Sequence, residues 1–409
     1  MVSFHAVFII SCFVCSINCM SVVEVFEDGI GDIIPKQRPY NPDEFLKAPE
    51  LIRRYGFKSE THTILTKDGY FLTLHRIPCN QNGKKGNQPV FIQHGLLSSS
   101  ADFLDHGNKS LGFLLAETGY DVWLGNARGN SYSKSHASLD VNSNDFWDFS
   151  FHEMGIYDLP AVFEYISNET NQSILHIGHS MGTTMFFIYA SLHSEEAMKL
   201  VKGMVALAPV AYMTHFTSPI RYFAPFSNDI EWLREYLGFK EFLPRGKILH
   251  LLSYECKLMN ITEEICENFI FMLCGFDPVQ FDMDYLPTVL NHVPAGSSTK
   301  TVIHYAQEIA NKGNFQYFDY GKEENMVRYG SLTPPLYNST NIQVPVYLMY
   351  SDNDSMANKI DVLKLASNLP NLAGTYEVPL KEFNHVDFLF AKDVVELVYK
   401  PLLKQLSKF

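Results

Sequence analysis

The chain has 409 residues and is 46% hydrophobic, so it can bury a large core, either as one big domain or as a domain with a substantial insertion. Its formal net charge of −13 argues against a nucleic-acid partner, and no block rich in Lys and Arg suggests a patch for anionic lipid. Aromatic residues make up 14% of the chain, which fits either an apolar cleft or simply a bulky core.

The N-terminal segment is apolar and uncharged. The first 23 residues contain no Asp, Glu, Lys or Arg, and residues 7–14 form an apolar centre. This composition is typical of a cleaved secretory signal, so we expect residues 1–19 to be removed and residues 20–44 to form an N-terminal extension. The alternative, an uncleaved membrane anchor, needs a longer uninterrupted apolar run, and no other stretch approaches a transmembrane helix.

From about residue 60, strand-like runs alternate with helical ones. The predicted strands are 61–66, 70–77, 89–93, 120–124, 174–177, 203–207, 344–350 and 375–378. The later strands are almost continuously apolar, and helices predicted at 111–118, 154–167 and 394–406 separate or follow them. This pattern predicts an α/β fold with a mostly parallel central sheet covered by helices on both faces.

The alternation stops between about residues 212 and 337. Helices are predicted there at 230–237, 247–259, 261–273 and 299–310. The simplest interpretation is one α/β core, formed by residues 45–211 and 338–409, with a mainly helical insertion at 212–337. An insertion between strands of such a sheet leaves from its carboxyl edge, where ligands bind, so we expect this segment to form a cap over the site.

A short apolar run ends in Gly178-His-Ser-Met-Gly182, and an apolar segment suited to a buried helix follows it. The pattern Gly-x-Ser-x-Gly is typical of a tight strand-to-helix turn, in which a Cβ at either glycine would clash. A helix that starts at Ser180 points its free N–H groups at an anion beside the hydroxyl. Ser180 is therefore the candidate nucleophile; the alternative is an ordinary glycine-rich turn.

A serine nucleophile needs a base, and the base needs an acidic residue that holds its tautomer. Two acids, Asp352 and Asp354, follow the penultimate predicted strand, and His385 follows the last one. Because all three positions come after strand ends, they can meet Ser180 at one edge of the sheet. The alternative for His385 is a structural imidazole. His179 adjoins the serine but points the wrong way to act on its own neighbour.

The reaction also needs hydrogen-bond donors for the oxyanion. One donor should be the N–H of Met181, directly after the candidate nucleophile. The other should come from the loop after an earlier strand, and Gln93-His-Gly-Leu-Leu97 has the required form. There Gly95 lets the backbone approach closely, and the N–H of Leu96 is the candidate donor. The alternative is a simple glycine turn.

Cysteines and glycosylation sequons agree with an oxidising secretory environment. Of the cysteines beyond the leader, Cys256 and Cys266 most simply close a short loop, which leaves Cys79 and Cys274 free. The candidate N-glycosylation sites are Asn108, Asn168, Asn171, Asn260 and Asn338. A further sequon at Asn353 overlaps the candidate acid, so we expect it to be unoccupied.

Several motifs in chain order resemble the acid lipase family, which contains gastric and lysosomal acid lipases and insect secreted relatives. They are Gln93-His-Gly-Leu-Leu97, Tyr120-Asp-Val-Trp-Leu-Gly-Asn126 with Arg128-Gly-Asn130, Gly178-His-Ser-Met-Gly182, Asn291-His-Val-Pro-Ala-Gly296 and Asn384-His-Val-Asp-Phe388. The resemblance extends from about residue 45 to the C-terminus. It implies an α/β-hydrolase fold, a Cys256–Cys266 disulfide with Cys274 free, and a cap with a movable lid at about 244–275.

The resemblance also assigns roles to residues of the site. It implies Ser180 as nucleophile, Asp354 rather than Asp352 as the acid, and His385 as the base, with the oxyanion hole at the Leu96 and Met181 amides. Digestive members usually carry Gln where this chain has Met181; since the backbone amide is unchanged, we expect catalysis to survive with a more apolar pocket. Asp352 stands where relatives often have Gly, and a carboxylate there could stabilise charged His385.

Taken together, the sequence predicts a secreted serine lipase that hydrolyses carboxylic ester bonds of neutral lipids, triacylglycerols above all, through an acyl-enzyme intermediate. We expect it to need no metal or cofactor and to meet its lipid ester substrates at a lipid–water interface, without a stable membrane span. The alternatives are an esterase for soluble or cholesteryl esters, a catalytically idle lipid-binding protein, and a lysosomal rather than an extracellular location.

Overall fold

The computed structural model describes residues 41–219, 221, 224, 240–243, 275, 277, 279–281 and 285–409. Several predictions lie outside the described residues: the signal 1–19, most of the extension 20–44, the helices at 230–237, 247–259 and 261–273, the lid 244–275 except Gly275, and the side chains of Cys256, Cys266, Cys274 and Asn260.

An eight-stranded sheet forms the centre of the described structure. The strands are β1 (Glu60–Leu65), β2 (Phe71–Ile77), β3 (Gln88–Gln93), β4 (Tyr120–Leu124), β5 (Ile174–His179), β6 (Val201–Leu207), β7 (Glu241–Phe242), β8 (Ser297–Ser298), β9 (Val346–Tyr350) and β10 (Leu372–Glu377). The order in the sheet is β1-β2-β4-β3-β5-β6-β9-β10, while β7 pairs with β8 separately. Neighbours from β4 to β10 run parallel, and β2 is antiparallel to both β1 and β4.

The central strands are buried, which explains why apolar runs in the sequence predicted them. Every residue of β5 is buried, and β3, β4 and β6 are buried almost throughout, because helices cover both faces of the sheet there. The edge strands β1 and β10 alternate between more and less exposed positions instead. The predicted α/β fold with a mostly parallel sheet is confirmed.

Helices pack on the two faces of the sheet. The helices are Ala48–Arg54, Leu111–Glu117, Phe151–Glu153, Leu159–Thr170, Met181–Leu192, Ser194–Leu200, Leu286–His292, Thr299–Ala310, Lys322–Tyr329, Lys359–Asn368, Asp387–Phe390 and Lys400–Leu406. Single π-helical segments, Met154–Asp158 and Val395–Tyr399, precede two of them. On β3, Phe91 belongs to one hydrophobic cluster with Phe186, whereas Val90 and Ile92 belong to the other with Leu402.

The chain between β6 and β9 forms a long insertion. Because these two strands are parallel neighbours, the chain leaves the sheet at the carboxyl end of β6 and re-enters it at the amino end of β9, at the opposite edge. The described parts of the insertion contain β7, β8 and the helices Leu286–His292, Thr299–Ala310 and Lys322–Tyr329. Its function as a cap stays a prediction. Among the described helices, none is long and apolar enough to cross a bilayer.

A buried arginine holds the loop after β4. The side chain of Arg128 is 1% exposed and donates to Asp68 through Nη1 at 2.5 Å and to Asp158 through Nη2 at 2.6 Å. Its guanidinium carbon also lies 4.0 Å from the centre of the Tyr70 ring. Because Asp158 is buried as well, each charge depends on its partners for the solvation that water would otherwise provide.

We predict that Arg128→Met lowers the free energy of unfolding by about 3–5 kcal/mol, because it leaves the buried carboxylate of Asp158 without a cationic partner. The control is Arg328→Met, because Arg328 forms an exposed helical pair with Glu324; that change should cost less than about 1 kcal/mol. Urea denaturation at neutral pH measures both values. Equal losses for the two variants would contradict the structural function given to Arg128.

Candidate active site

Ser180 occupies a strained turn between β5 and the helix Met181–Leu192. Its backbone angles are φ 52° and ψ −119°, a region that residues with a side chain rarely adopt. The flanking glycines are needed for packing: a Cβ on Gly178 would lie 2.9 Å from the carbonyl carbon of Gly182, and one on Gly182 would lie 2.4 Å from the oxygen of Gln93. The turn therefore projects the hydroxyl away from the sheet at its carboxyl edge.

The structure brings Ser180, His385 and Asp354 together in one hydrogen-bonded chain. Nε2 of His385 lies 2.8 Å from Oγ of Ser180, and Nδ1 lies 2.8 Å from Oδ2 of Asp354. The other carboxylate oxygen of Asp354 accepts the N–H groups of Met356 at 2.8 Å and Ala357 at 2.7 Å. Asp354 and His385 are buried, whereas Ser180 is partly exposed. This arrangement can pass a proton between hydroxyl and imidazole.

Asp352 lies apart from this chain. Its side chain is 54% exposed, and its nearest ionic partner is the Nζ of Lys359 at 3.7 Å. Of the two acids that the sequence left as alternatives, the structure thus places Asp354, and not Asp352, against the histidine. An exposed carboxylate paired with lysine has little electrostatic influence on a buried imidazole, because water screens it.

The loop after β3 lies directly against Ser180. A Cβ on Gly95 would be 3.0 Å from Cβ and 3.4 Å from Oγ of Ser180, so only glycine fits without displacement. Met181 is the first residue of its helix, where an N–H has no intrahelical acceptor. Its side chain is buried in the hydrophobic cluster on that face of the sheet, and Leu96 packs against the same cluster. Both candidate oxyanion donors thus belong to backbone that flanks the serine.

A histidine that the sequence analysis did not single out holds this loop. Nε2 of His94 accepts the N–H of Ala127 at 3.0 Å and lies 3.1 Å from Nδ2 of Asn130, so its proton is on Nδ1, which donates to the carbonyl of Gly95 at 2.8 Å. Asn130 also donates to the carbonyl of Ser98 at 3.3 Å. The motif Arg128-Gly-Asn130 was the available signal, because it puts this asparagine next to the loop.

Burial lowers the pKa values of two histidines beside the site, His94 and His179. Burial, opposed by the hydrogen bond to Gly95, lowers the pKa of His94 to about 4. Burial, together with the nearby imidazole of His385, lowers the pKa of His179 to about 3. Nε2 of His179 is 3.2 Å from the carbonyl of His385, so it donates to the backbone of that residue and not to Ser180. His179 therefore holds the backbone of His385 in place.

We predict that His94→Gln makes stability less dependent on pH in the acid range. As the pH falls from 6.5 towards 4, the unfolded chain binds a proton at His94 while the folded chain does not, so His94 contributes a loss of stability on acidification. Because a pKa unit corresponds to about 1.4 kcal/mol, the substitution should remove up to about 3 kcal/mol of that loss. Urea denaturation at pH 7 and pH 4.5 tests this; identical acid losses in both proteins would contradict it.

The described sequons lie on the surface. Asn108, Asn168, Asn171 and Asn338 are exposed, as modification would require. Asn353 is only partly exposed, and its Nδ2 donates to the carbonyl of Glu382 at 2.5 Å. Occupancy of each site stays a prediction. Cys79 is a buried free thiol.

Comparisons with known proteins agree with the fold. Residues 48–107 match the family described as partial alpha/beta-hydrolase lipase region, and residues 88–391 match the family described as alpha/beta hydrolase fold. Lipase 1 of Drosophila melanogaster is 40% identical over 372 residues, which cover 90% of this chain and 81% of the relative.

Vertebrate relatives match over almost their whole length. Gastric triacylglycerol lipase of Mus musculus is 35% identical, covering 95% of this chain and 98% of the relative. Lysosomal acid lipase/cholesteryl ester hydrolase of Homo sapiens is 35% identical, covering 96% and 97%. The chain belongs to the α/β-hydrolase family and, within it, to the acid lipases, which makes it a carboxylic ester hydrolase. The resemblance inferred from the motifs is confirmed.

Proposed function

We propose that this chain is a secreted lipase that hydrolyses neutral lipid esters, triacylglycerols in particular, with Ser180, His385 and Asp354 as its catalytic triad. The observation that carries the proposal is the pair of 2.8 Å contacts that joins the serine hydroxyl to the imidazole and the imidazole to the carboxylate. These contacts match the geometry that nucleophilic acyl transfer requires.

In the proposed mechanism, Ser180 Oγ attacks the ester carbonyl while Nε2 of His385 accepts the hydroxyl proton. Asp354 accepts a hydrogen bond from Nδ1–H of the imidazole and stabilises the charged form of the ring. The N–H groups of Leu96 and Met181 donate to the oxyanion of the tetrahedral intermediate. His385 then returns the proton to the leaving alcohol, and a water molecule hydrolyses the acyl-enzyme by the same steps in reverse.

Two observations support lipid esters as the substrate class. The relatives named above include a triacylglycerol lipase and a cholesteryl ester hydrolase. The insertion between β6 and β9 begins at the carboxyl edge where Ser180 lies, so it is placed to supply an apolar acyl-binding surface. A lipase should accelerate when its substrate passes the solubility limit, whereas an esterase for soluble esters should not, and a parallel assay on cholesteryl ester distinguishes the sterol ester alternative.

The location is proposed to be extracellular, with the lysosome as the alternative. Residues 1–19 have the composition of a secretory leader, and the described sequons outside the catalytic loops are exposed. Expression in insect or mammalian cells should therefore give a protein in the medium whose apparent mass falls on treatment with an N-glycosidase. Retention of an unglycosylated chain inside the cell would contradict this proposal.

We predict that Ser180→Ala and Asp354→Asn lower kcat by about 10⁴-fold or more on both emulsified triacylglycerol and a short-chain ester. The matched controls are Ser191→Ala, near the other end of the same helix, and Asp352→Asn, on the exposed neighbouring carboxylate. Both controls should keep wild-type activity. Retained hydrolysis in Ser180→Ala would overturn the mechanism, and failure of an organophosphonate to label the wild type would favour an idle lipid-binding protein.

A second prediction concerns the oxyanion loop. Gly95→Ala places a methyl group 3.0 Å from Cβ of Ser180, so the loop must move away and Leu96 must lose its alignment. We expect kcat to fall by about 10²-fold with a smaller change in KM, as for loss of one oxyanion donor. Steady-state kinetics on a soluble ester measure this, with the melting temperature as the check on folding. Unchanged kcat in a folded variant would exclude the loop from catalysis.

A further inference from the structure

Three backbone segments interlock behind the imidazole of His385. Nδ2 of Asn384 donates to the carbonyl of Gly275 at 2.9 Å. A Cβ on Gly275 would lie 2.3 Å from the oxygen of Asn353, in the loop that carries the triad acid. Nδ2 of Asn353 in turn donates to the carbonyl of Glu382, in the loop that carries the histidine. A displacement of the segment at Gly275 would therefore also displace the loop that carries Asp354 and the loop that carries His385.

Two fully buried carboxyl groups meet at this junction. Asp277 and Asp387 are both 0% exposed. Oδ2 of Asp387 accepts the N–H of Asn384 at 2.7 Å, and Oδ1 of Asp277 accepts the N–H groups of Val279 at 3.0 Å and Gln280 at 2.9 Å. The remaining oxygens, Oδ1 of Asp387 and Oδ2 of Asp277, are buried and accept no hydrogen bond from any described donor. A side-chain hydrogen bond with Asp277 is among the causes that raise the pKa of Asp387, which points to these two oxygens as the pair that shares a proton.

Two carboxylates in contact cannot both ionise without water, so such a pair retains one proton. Burial is the largest cause that raises the pKa of Asp387, to about 8, and the charges of Asp277 and Asp354 raise it further against the opposing hydrogen bond from Asn384. Two further bonds hold the other end of the Asp277 segment. Nζ of Lys392 donates to the carbonyl of Val279, and the side-chain amide of Gln280 donates to Asp393.

We propose that Asp387 donates a proton from Oδ1 to Oδ2 of Asp277, and that this acid–carboxylate pair is a positioning device for His385. The proposal rests on the proposed function, because the residue that it positions is the proposed base. Removal of the shared proton places two negative charges in contact and drives the Asp277 segment away from the loop of Asn384 and His385. Activity should therefore be lost at alkaline pH, because the imidazole of His385 loses its alignment with Ser180 and Asp354.

The test compares substitutions that keep the pair with one that breaks it. In Asp387→Asn and Asp277→Asn the new amide can still donate to the remaining carboxylate, without a proton to lose. Both variants should keep kcat within about threefold of wild type at mildly acid pH and should lack the alkaline decline that wild type shows. Asp277→Ala should lower kcat about tenfold at all pH values with little change in KM. The control is Asp352→Asn, whose pH profile should follow wild type.

A measurement that does not depend on catalytic activity distinguishes failure of this proposal from failure of the proposed function. The infrared difference between wild type and Asp387→Asn at neutral pH should show the carbonyl band of a protonated carboxyl group, and the melting temperature of wild type should fall more steeply with rising pH than that of the variant. Absence of that band, or an alkaline decline of kcat unchanged in both Asn variants, would overturn the proposal. If the band is present while Ser180→Ala retains activity, the pair exists but the catalytic assignment is wrong.

Discussion

The turn at Ser180 is the constraint on which the site depends. A non-glycine residue with φ 52° and ψ −119° costs about 1–3 kcal/mol, so surrounding bonds must hold it. The N–H of Ser180 donates to the carbonyl of Leu207 at the end of β6, 3.1 Å away. Thr183 binds both the carbonyl of Ser180 at 2.6 Å and the N–H of Val210 at 2.9 Å. The strain is therefore offset by bonds to the start of the insertion.

Because β5 is central, the same turn orders its neighbours. Gly182 can approach the carbonyl of Gln93 only if the loop after β3 passes over the start of the helix, which brings Gly95 to the serine. On the other side, β9 and β10 end in the loops of Asp354 and His385, and the parallel pairing puts these ends at one edge. The site is thus assembled by sheet order: strands distant in sequence contribute adjacent loops.

Local sequence patterns made the strands and the positions of the site residues predictable. They did not reveal which residues distant in sequence contact each other. β4 begins and ends where its apolar run predicts, between Gly119 and Gly125. β10 starts at Leu372, before the predicted residue 375, because an exposed edge strand with a register shift has no clear apolar run. Sequence alone could not choose between neighbouring acids, and it could not pair Asp277 with Asp387, since periodicity indicates which face a residue occupies and not what it meets.

Buried histidines lower the stability of the fold in acid, and buried aspartates lower it as the pH rises. His94 and His179, whose pKa values burial lowers to about 4 and about 3, favour the folded chain less as the pH falls below 6.5. Asp102 and Asp387, whose pKa values burial raises to about 7 and about 8, favour it less as the pH rises above 3.8. Between about pH 4 and 6.5 the two slopes oppose each other, so the polar groups behind Ser180 make the fold least sensitive to pH in the mildly acid range.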